Sequence, residues 1–375
     1  MPHFSIQDLA KIIERESKSA TYKFALLRAT IEIIQEQEHY LLVHEDSTVS
    51  YPMGSMVMKW IRYYYPIIAR NLRQVTSTKL AFQNEFEQVI DLYREYPANA
   101  NQLFYDLKHG ISDNHRKVAV IDLLKKLRGT IAKQPMHYIG GSIGMTGKLY
   151  SYERGPVISK QMPRIDLEWI VTNLGRFSFP VELQHQLQIV GSFLTGTHSI
   201  IFKWAEFSSK LPGENRIDTA GMIALLKDEY NEREIQLAND YYKQILEKGS
   251  LECIWSGKRI RNRSDMHIDH MIPFSVLNNN DLWNLMPSTS AMNSKKKDKI
   301  PSPQLLKRKD VKERIVDGWS ELHLAHHEQF RSEIQLSLLG NEVFREKTWK
   351  NVSYENLTAM CHHMIDLRGL DPWNP

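Results

Sequence analysis

HIDHMIP, at residues 267–273, is the stretch that decides the fold of the C-terminal part of this chain, and NDLWNL at 280–285 and NSKK at 293–296 follow it closely. Together the three segments place a carboxylate, imidazoles, carboxamides and a lysine within 30 residues. A protein that holds one hard divalent cation beside a phosphodiester needs oxygen ligands of this kind and a base that activates water. The stretch therefore predicts a compact, metal-dependent hydrolytic site.

The composition is that of an ordinary globular protein large enough for more than one domain. The chain has 375 residues, of which 42% are hydrophobic and 25% charged, and chains of this length usually form two or three domains. No run of 18 apolar residues is present, which argues against a membrane span. The first residues also lack the basic and apolar parts of a secretory signal, so we expect neither membrane insertion nor secretion.

Cysteine usage indicates a reducing compartment. Cys253 and Cys361 are the only cysteines, and they stand 108 positions apart, so they make no disulfide framework. Two thiols also exclude a four-cysteine zinc site, and a structural zinc would need mainly histidine ligands. The sequence therefore predicts a cytoplasmic protein without structural zinc.

Positive charge is concentrated around the opening stretch. The net charge of the whole chain is only +4, but residues 251–315 contain thirteen Lys or Arg against seven Asp or Glu. Most charge runs are simply solvated surface. Here the basic residues flank groups suited to phosphodiester chemistry, so we expect them to contact nucleic-acid phosphates.

The N-terminal half is predicted to be mostly helical. Leu9, Ile12 and Ile13 have helical spacing, and apolar residues in 22–38 follow one stripe of an amphipathic helix. The same reasoning predicts further helices at 56–68, 82–94, 115–133, 181–192, 197–210 and 218–247.

A glycine-rich segment interrupts this helical pattern. Four glycines between 140 and 147 precede residues 148–152 and 157–159, which read as two strands of a hairpin or as strands after a glycine-rich loop. A phosphate-cradling loop is the alternative, but the segment has no GKS or GKT ending. We therefore favour a structural turn.

The resulting prediction for the fold class is α+β, predominantly α-helical. After the opening stretch, Pro301 and Pro303 break the chain, and two helices are expected at 304–338, with an interruption, and at 353–368. The predicted domains are a helical recognition or assembly region at 1–249, with a sub-boundary near 135–165, a catalytic module at 250–310, and C-terminal helices at 311–375.

Spacing alone does not decide which histidine acts as the base. On a regular strand His267 and Asp269 face one side while His270 faces the other, and Pro273 ends the strand soon afterwards. A bend at the proline would turn His270 inward. From the spacing, both histidines remain candidates.

Four ordered submotifs resolve this by resemblance. CIWSGK at 253–258, IDHMIPFS at 268–275, NDLWNL at 280–285 and NSKKKDKIPS at 293–302 resemble an HNH endonuclease with the ββα-metal fold. The segment is similar, more closely, to the HNH domain of RNA-guided CRISPR nucleases and to stand-alone restriction-type HNH proteins. The resemblance covers about 50 residues and leaves the first 250 unmatched.

The resemblance implies a role for each matching residue. Asp269 and Asn293 would bind the metal, His270 would be the general base, and Asn284 would hold the loop and help orient that base. Lys296 would lie near the substrate phosphate. The remaining predicted nucleic-acid contacts are His267, Lys295, Lys297, Lys299, Arg259 and Arg261.

The sequence thus predicts a Mg²⁺-dependent endonuclease, with Mn²⁺ or another divalent ion as alternatives, that acts on DNA in restriction-type or anti-phage defence. A homodimer or a partner from a defence system is expected beside the DNA. The alternative is a nucleic-acid-binding protein or defence-complex subunit whose HNH module is weak or needs a partner. His323, His326 and His327 have helical spacing suited to a metal, but without a visible fourth ligand they are predicted to be solvated helix surface.

Overall fold

The chain folds into two compact units, residues 1–230 and 231–375, each of which is described separately below. The computed structural model describes residues 6–14, 18–94, 99–144, 148–162, 164–195, 200–213, 215–227, 235–249 and 251–375. Both units consist mainly of helices with small sheets, which confirms the predicted α+β, predominantly helical class.

The N-terminal unit surrounds one four-stranded antiparallel sheet with helices. The strands are β1 (Leu42–Val43), β2 (Thr48–Pro52), β3 (Ser151–Arg154) and β4 (Gly175–Pro180), in the order β1-β2-β4-β3. The described helices are α1 (Ile6–Glu14), α2 (Tyr22–Glu36), α3 (Met53–Ala69), α4 (Gln83–Arg94), α5 (Asn99–His109), α6 (Asn114–Lys133), α7 (Pro135–Tyr138), α8 (Leu167–Asn173), α9 (Val181–Thr195), α10 (Ile200–Ser209) and α11 (Thr219–Lys227).

Aromatic side chains form the centre of this unit. Trp60 and Tyr64 on α3 are fully buried and pack against Phe82, with the Tyr64 and Phe82 ring centroids 5.0 Å apart. Trp204 of α10 reaches the same cluster, 5.5 Å from Tyr64. Aromatic rings bury large apolar areas, so α3 is the helix around which the unit is packed.

Most predicted helices are present with shifted ends. The amphipathic stretch 22–38 forms α2, and 115–133 forms α6, which Asp113 caps by accepting a hydrogen bond from Arg116 N. The helix predicted at 56–68 begins earlier, at Met53. The long helix predicted at 218–247 is represented by α11 and by a helix at 236–248, while residues 228–234 lie outside the described residues.

The prediction of a hairpin at 148–159 is wrong, because the strand there pairs with a different part of the chain. Only Ser151–Arg154 is a strand there, residues 157–159 are not, and β3 pairs with β4, some twenty residues further on. A Cβ on Gly155 would stand 2.4 Å from Asn173 O, so the chain passes directly against the turn before β4. This close approach of two backbones needs glycine, and it directs the chain away from a local hairpin. A short hairpin does exist, between β1 and β2.

The C-terminal unit carries short strands between helices. Its strands are β5 (Leu251–Glu252), β6 (Arg259–Ile260), β7 (Met266–His270), β8 (Leu285–Thr289), β9 (Ile300–Pro301) and β10 (Pro372–Trp373). Its helices are α12 (Gln236–Lys248), α13 (Phe274–Leu277), α14 (Ser290–Lys296), α15 (Pro303–Leu306), α16 (Lys309–Ala325), α17 (His327–Ile334) and α18 (Trp349–Asp366), with a π-helical turn at Gln335–Leu339.

Helices α16 to α18 pack with the strands in one hydrophobic core. The indole N–H of Trp319 donates to Trp283 O at 2.9 Å, which fixes α16 to the segment before β8. The helix predicted at 353–368 begins at Trp349, because that buried side chain extends the apolar face by one turn. The helix predicted at 304–338 is divided into α15, α16 and α17. The predicted boundaries at 249 and 310 stay a prediction.

The segment after α18 returns to the core as strand β10. It pairs in parallel with β9, and Ser302 N donates to Trp373 O at 3.0 Å. Trp373 is buried and meets Trp255 edge to face, with ring centroids 5.0 Å apart. Among the described residues, no helix is long and apolar enough to cross a membrane.

Two helical glycines offer a test of the packing in the N-terminal unit. A Cβ at Gly54 on α3 would lie 2.1 Å from Ile170 O of α8, whereas a Cβ at Gly129 on α6 would meet nothing within 4 Å. We expect Gly54→Ala to lower the free energy of unfolding by about 2 kcal/mol or more, since the two helices must separate. Gly129→Ala should raise it by about 0.5 kcal/mol, because alanine favours the helix. Urea unfolding measures both, and equal effects of the two substitutions would contradict this packing.

Candidate active site

The candidate site is built on the β7–β8 ribbon and the helix that follows it. β7 and β8 are antiparallel, with His267 opposite Ser288 and Asp269 opposite Met286. Thr289 caps α14 by accepting a hydrogen bond from Met292 N. The helix therefore leaves the ribbon without a loop and packs back on both strands. This is a ββα arrangement.

Asp269 is a buried carboxylate with donors on both oxygens. Only 4% of the residue is exposed. The indole N–H of Trp255 donates to Oδ2 at 2.6 Å, and the ammonium of Lys296 donates to Oδ1 at 3.1 Å. These two bonds fix the orientation of the carboxylate.

Lys296 is the fully buried lysine of the run 295–297. It has no exposed surface, while Lys295 and Lys297 are exposed. Besides the bond to Asp269, its ammonium donates to His270 O at 2.6 Å. Burial lowers the pKa of Lys296, and the charge of Asp269 opposes that shift. Lys296 therefore links α14 to the end of β7 through hydrogen bonds. Its role beside the substrate phosphate stays a prediction.

His270 ends β7 and is only 2% exposed. Its Nε2 lies 3.1 Å from Asn280 Oδ1, and its ring centroid is 5.5 Å from that of Phe274. Which ring nitrogen carries the proton depends on the tautomer, and the contact with Asn280 fixes the orientation of the ring in either case. His267, the other candidate from spacing, is half-buried on the ribbon.

Asn284 fixes the loop between α13 and β8 entirely through the backbone. Its Oδ1 accepts from Ile272 N at 2.7 Å, and its Nδ2 donates to Ile272 O at 3.0 Å and to Asn279 O at 3.3 Å. Its own carbonyl accepts from Met271 N at 2.7 Å. The side chain thus holds both the turn after His270 and the loop that carries Asn280.

The donor set fits a hard divalent cation. Asn293 is half-buried on α14 and stands three residues before Lys296, so the two side chains are neighbours on the surface of the helix. Together with the carboxylate of Asp269 it offers two oxygen ligands. Mg²⁺ is bound in this way, by one or two protein oxygens, while it retains several waters.

The predicted nucleic-acid contacts lie at the surface of this unit. Their cationic members Arg259, Arg261, Lys295, Lys297 and Lys299 are all exposed. Arg259 also donates to Gly249 O at 2.7 Å, which fixes its guanidinium at the strand edge. Exposed cations of this kind can reach phosphates without being desolvated first.

Sequence reasoning missed three residues that shape the site. Trp255 holds Asp269, Asn280 holds His270, and Trp373 packs on Trp255. Asn280 and Trp255 stand inside the quoted submotifs, and a buried indole N–H needs an acceptor, which was the available signal. For Trp373 the sequence near the site contained no signal.

The carboxylate of Glu346 lies beside the histidines of α16 and α17. Donor atoms of His323, His327 and Glu346 lie within 4.8 Å of one another. His323 is not solvated surface as predicted, because it is buried beside Trp349. Burial lowers its pKa, and the nearby cations Lys350 and Arg331 add to that shift. Since those cations also repel a metal ion, we assign none to this cluster.

Comparison with known families recognises two parts of the chain. Residues 3–226 match a family model described as a domain of unknown function, DUF8808. Residues 253–302 match the model described as HNH endonuclease. No curated protein and no solved structure matches the chain.

The HNH match covers the four submotifs that suggested this family and includes β7, β8 and α14. It indicates nuclease activity on nucleic acid in general, and HNH nucleases generally use divalent metal ions. The closer similarity to RNA-guided CRISPR nucleases or to restriction-type proteins stays a prediction.

The bond between Trp255 and Asp269 can be tested with a matched pair of substitutions. Trp255→Phe removes a donor to a buried carboxylate, whereas Trp349→Phe removes an equally buried indole N–H that has no hydrogen-bond partner among the described residues. Both create a similar cavity. We expect Trp255→Phe to lower the free energy of unfolding by about 2 kcal/mol more, the value of a hydrogen bond to a charged group. Hydrogen exchange in the β7–β8 ribbon measures this difference, and equal losses would show that the bond stabilises nothing.

Proposed function

This chain belongs to the DUF8808 family, and we propose that it is a metal-dependent HNH endonuclease that hydrolyses phosphodiester bonds in DNA. The observation that supports this most directly is the adjacency of Asp269 and His270 at the end of β7, beneath a helix that carries Asn293 and Lys296. Each of these residue types has a task in phosphodiester hydrolysis.

Asp269 and Asn293 would hold one Mg²⁺ or a similar ion. When bound, such an ion neutralises charge on the phosphate and on the leaving oxygen. Trp255 and Lys296 keep the carboxylate of Asp269 in one orientation, so that little conformational freedom is lost on binding. The ammonium of Lys296 adds positive charge beside the place where a phosphate would lie.

His270 would accept the proton of the attacking water. Asn280 orients the imidazole through its contact with Nε2, and Asn284 holds the loop from which Asn280 projects. A positioned base of this kind contributes roughly 10²–10⁴-fold to the rate. His267 and the exposed lysines and arginines would contact the flanking phosphates.

The proposed setting is restriction-type or anti-phage defence in the cytoplasm. One HNH site cuts one strand, so a double-strand break would need a homodimer or a partner. The DUF8808 region would then recognise the target or assemble the complex. The chain has only two cysteines, too few for a disulfide framework, which supports a reducing compartment.

One observation favours an alternative, in which the HNH module is weak or needs a partner. Lys296 already neutralises Asp269 in a buried ion pair, which lowers the attraction of that carboxylate for a cation. DNA binding that ignores EDTA, without any cleavage product, would favour this nucleic-acid-binding role.

Plasmid cleavage with Mg²⁺ tests the nuclease proposal. We expect His270→Ala to lower the rate by roughly 10²–10⁴-fold, since the base is lost. Asn293→Ala should lower it strongly without disturbing the buried pair of Asp269 and Lys296. EDTA should abolish cleavage.

The matched control is a second His–Asp pair in the same unit. His362 and Asp366 are exposed on α18, with Nδ1 and Oδ2 3.1 Å apart. Their alanine variants should cleave at the unchanged rate. Undiminished cleavage by His270→Ala and Asn293→Ala together would sink the assignment.

A further inference from the structure

Six of the twelve residues that line a cavity in the N-terminal unit are basic, and none is acidic. It has a volume of about 590 Å³ and lies between helix α6, α7 and strand β3. Its basic lining residues are Lys125, Arg128, Lys133, His137, Lys148 and Arg154. All of them lie within the region that matches DUF8808.

No carboxylate of the described residues neutralises the charges of this cavity. Among the described residues, no carboxylate lies within 4.0 Å of the charged nitrogens of its five lysines and arginines. The neighbouring Lys126 shows that α6 can offer such pairs, because its ammonium lies 3.3 Å from Glu85. Lys126 is exposed and paired, whereas Lys125 is half-buried, lines the cavity and has no ion pair with any residue that the structure describes.

Arg128 is the most unusual of these cations. It is 9% exposed, and its Nη1 is buried without a hydrogen-bond partner among the described residues. A buried guanidinium without an acceptor is costly, so such groups are normally paired. Arg128 also lines the cavity, where an anion would pair with the charge of its guanidinium.

The surrounding residues keep the cavity open and positive. A Cβ on Gly129 would meet nothing within 4 Å, so this turn of α6 leaves room for a ligand. On β3, Glu153 is paired in register with Arg176 of β4 and is not part of the lining, while Tyr152 and Arg154 are. Burial raises the pKa of Tyr152, and the charges of Arg128 and Arg154 oppose this.

We propose that this cavity binds a phosphorylated ligand of nucleotide size, either a free nucleoside polyphosphate or a nucleotide unit of a nucleic acid. Its volume falls in the range of small-molecule sites and exceeds that of a bare phosphate. Arg presents a planar fork of donors that matches phosphate oxygens, and the lysines add point charges around it. Five unneutralised cations suit several phosphate charges better than one carboxylate.

Binding to the full chain in EDTA tests this proposal without any contribution from cleavage. The probes are ATP and a short single-stranded DNA, with affinity measured by calorimetry or fluorescence anisotropy. We expect Arg128→Gln to weaken binding at least about tenfold, and Lys125→Gln about threefold to tenfold, because charged hydrogen bonds are lost. Gly129→Leu should also abolish binding by filling the cavity while it leaves every charge in place.

Lys126→Gln is the matched control, since it removes the same charge from the neighbouring position, and it should change affinity less than twofold. If the cavity variants weaken only the binding of ATP, the ligand is a free nucleotide. If they weaken only the binding of DNA, the ligand is a nucleic acid. Competition between the two probes identifies the shared phosphate. Affinities weaker than about 1 mM for both probes, equal effects of Lys125→Gln and Lys126→Gln, or unchanged binding by Gly129→Leu would each overturn the proposal.

Discussion

The buried ion pair between Lys296 and Asp269 is the constraint on which the candidate site depends. The lysine ammonium bonds to Asp269 and to the carbonyl of His270, so one group fixes both the predicted metal ligand and the predicted base. Removal of one partner from such a pair leaves an uncompensated buried charge, at a cost of about 3–5 kcal/mol. The geometry of the candidate site and the attachment of α14 to β7 therefore depend on the same interaction, and neither can be changed alone.

Much of this site could be predicted because it is local in sequence. Asp269, His270, Asn284 and Asn293 stand close together, and an ordered set of submotifs gave each of them a role, although the roles themselves remain predictions. Trp373 could not be found, because its contact with Trp255 depends on how α16 to α18 return the chain to the core. Residues 157–159 were assigned to a strand by local pattern, but the partner of β3 is the distant β4.

In the N-terminal unit, periodicity predicted the helices but not which of their charged side chains form ion pairs. Lys125 and Lys126 are neighbours with the same side chain, and only the position of Glu85, forty residues earlier, gives one of them an ion pair. Sequence pattern shows which side of a helix is apolar. It does not show which polar groups find a partner, since that depends on tertiary packing. The cavity beside α6 depends on which polar groups find a partner, so the sequence pattern did not predict it.

The return of the chain as strand β10 has a consequence for the time at which the site forms. During synthesis β7, β8 and α14 emerge first, and the residues that pair with β9 and cover Trp255 follow only after α18. Contacts so distant in sequence close late and slowly. A nascent chain on the ribosome therefore contains all four submotifs of the module before Trp373 packs on Trp255, the residue that bonds to Asp269. Such a delay separates the synthesis of the HNH module from the completion of its candidate site.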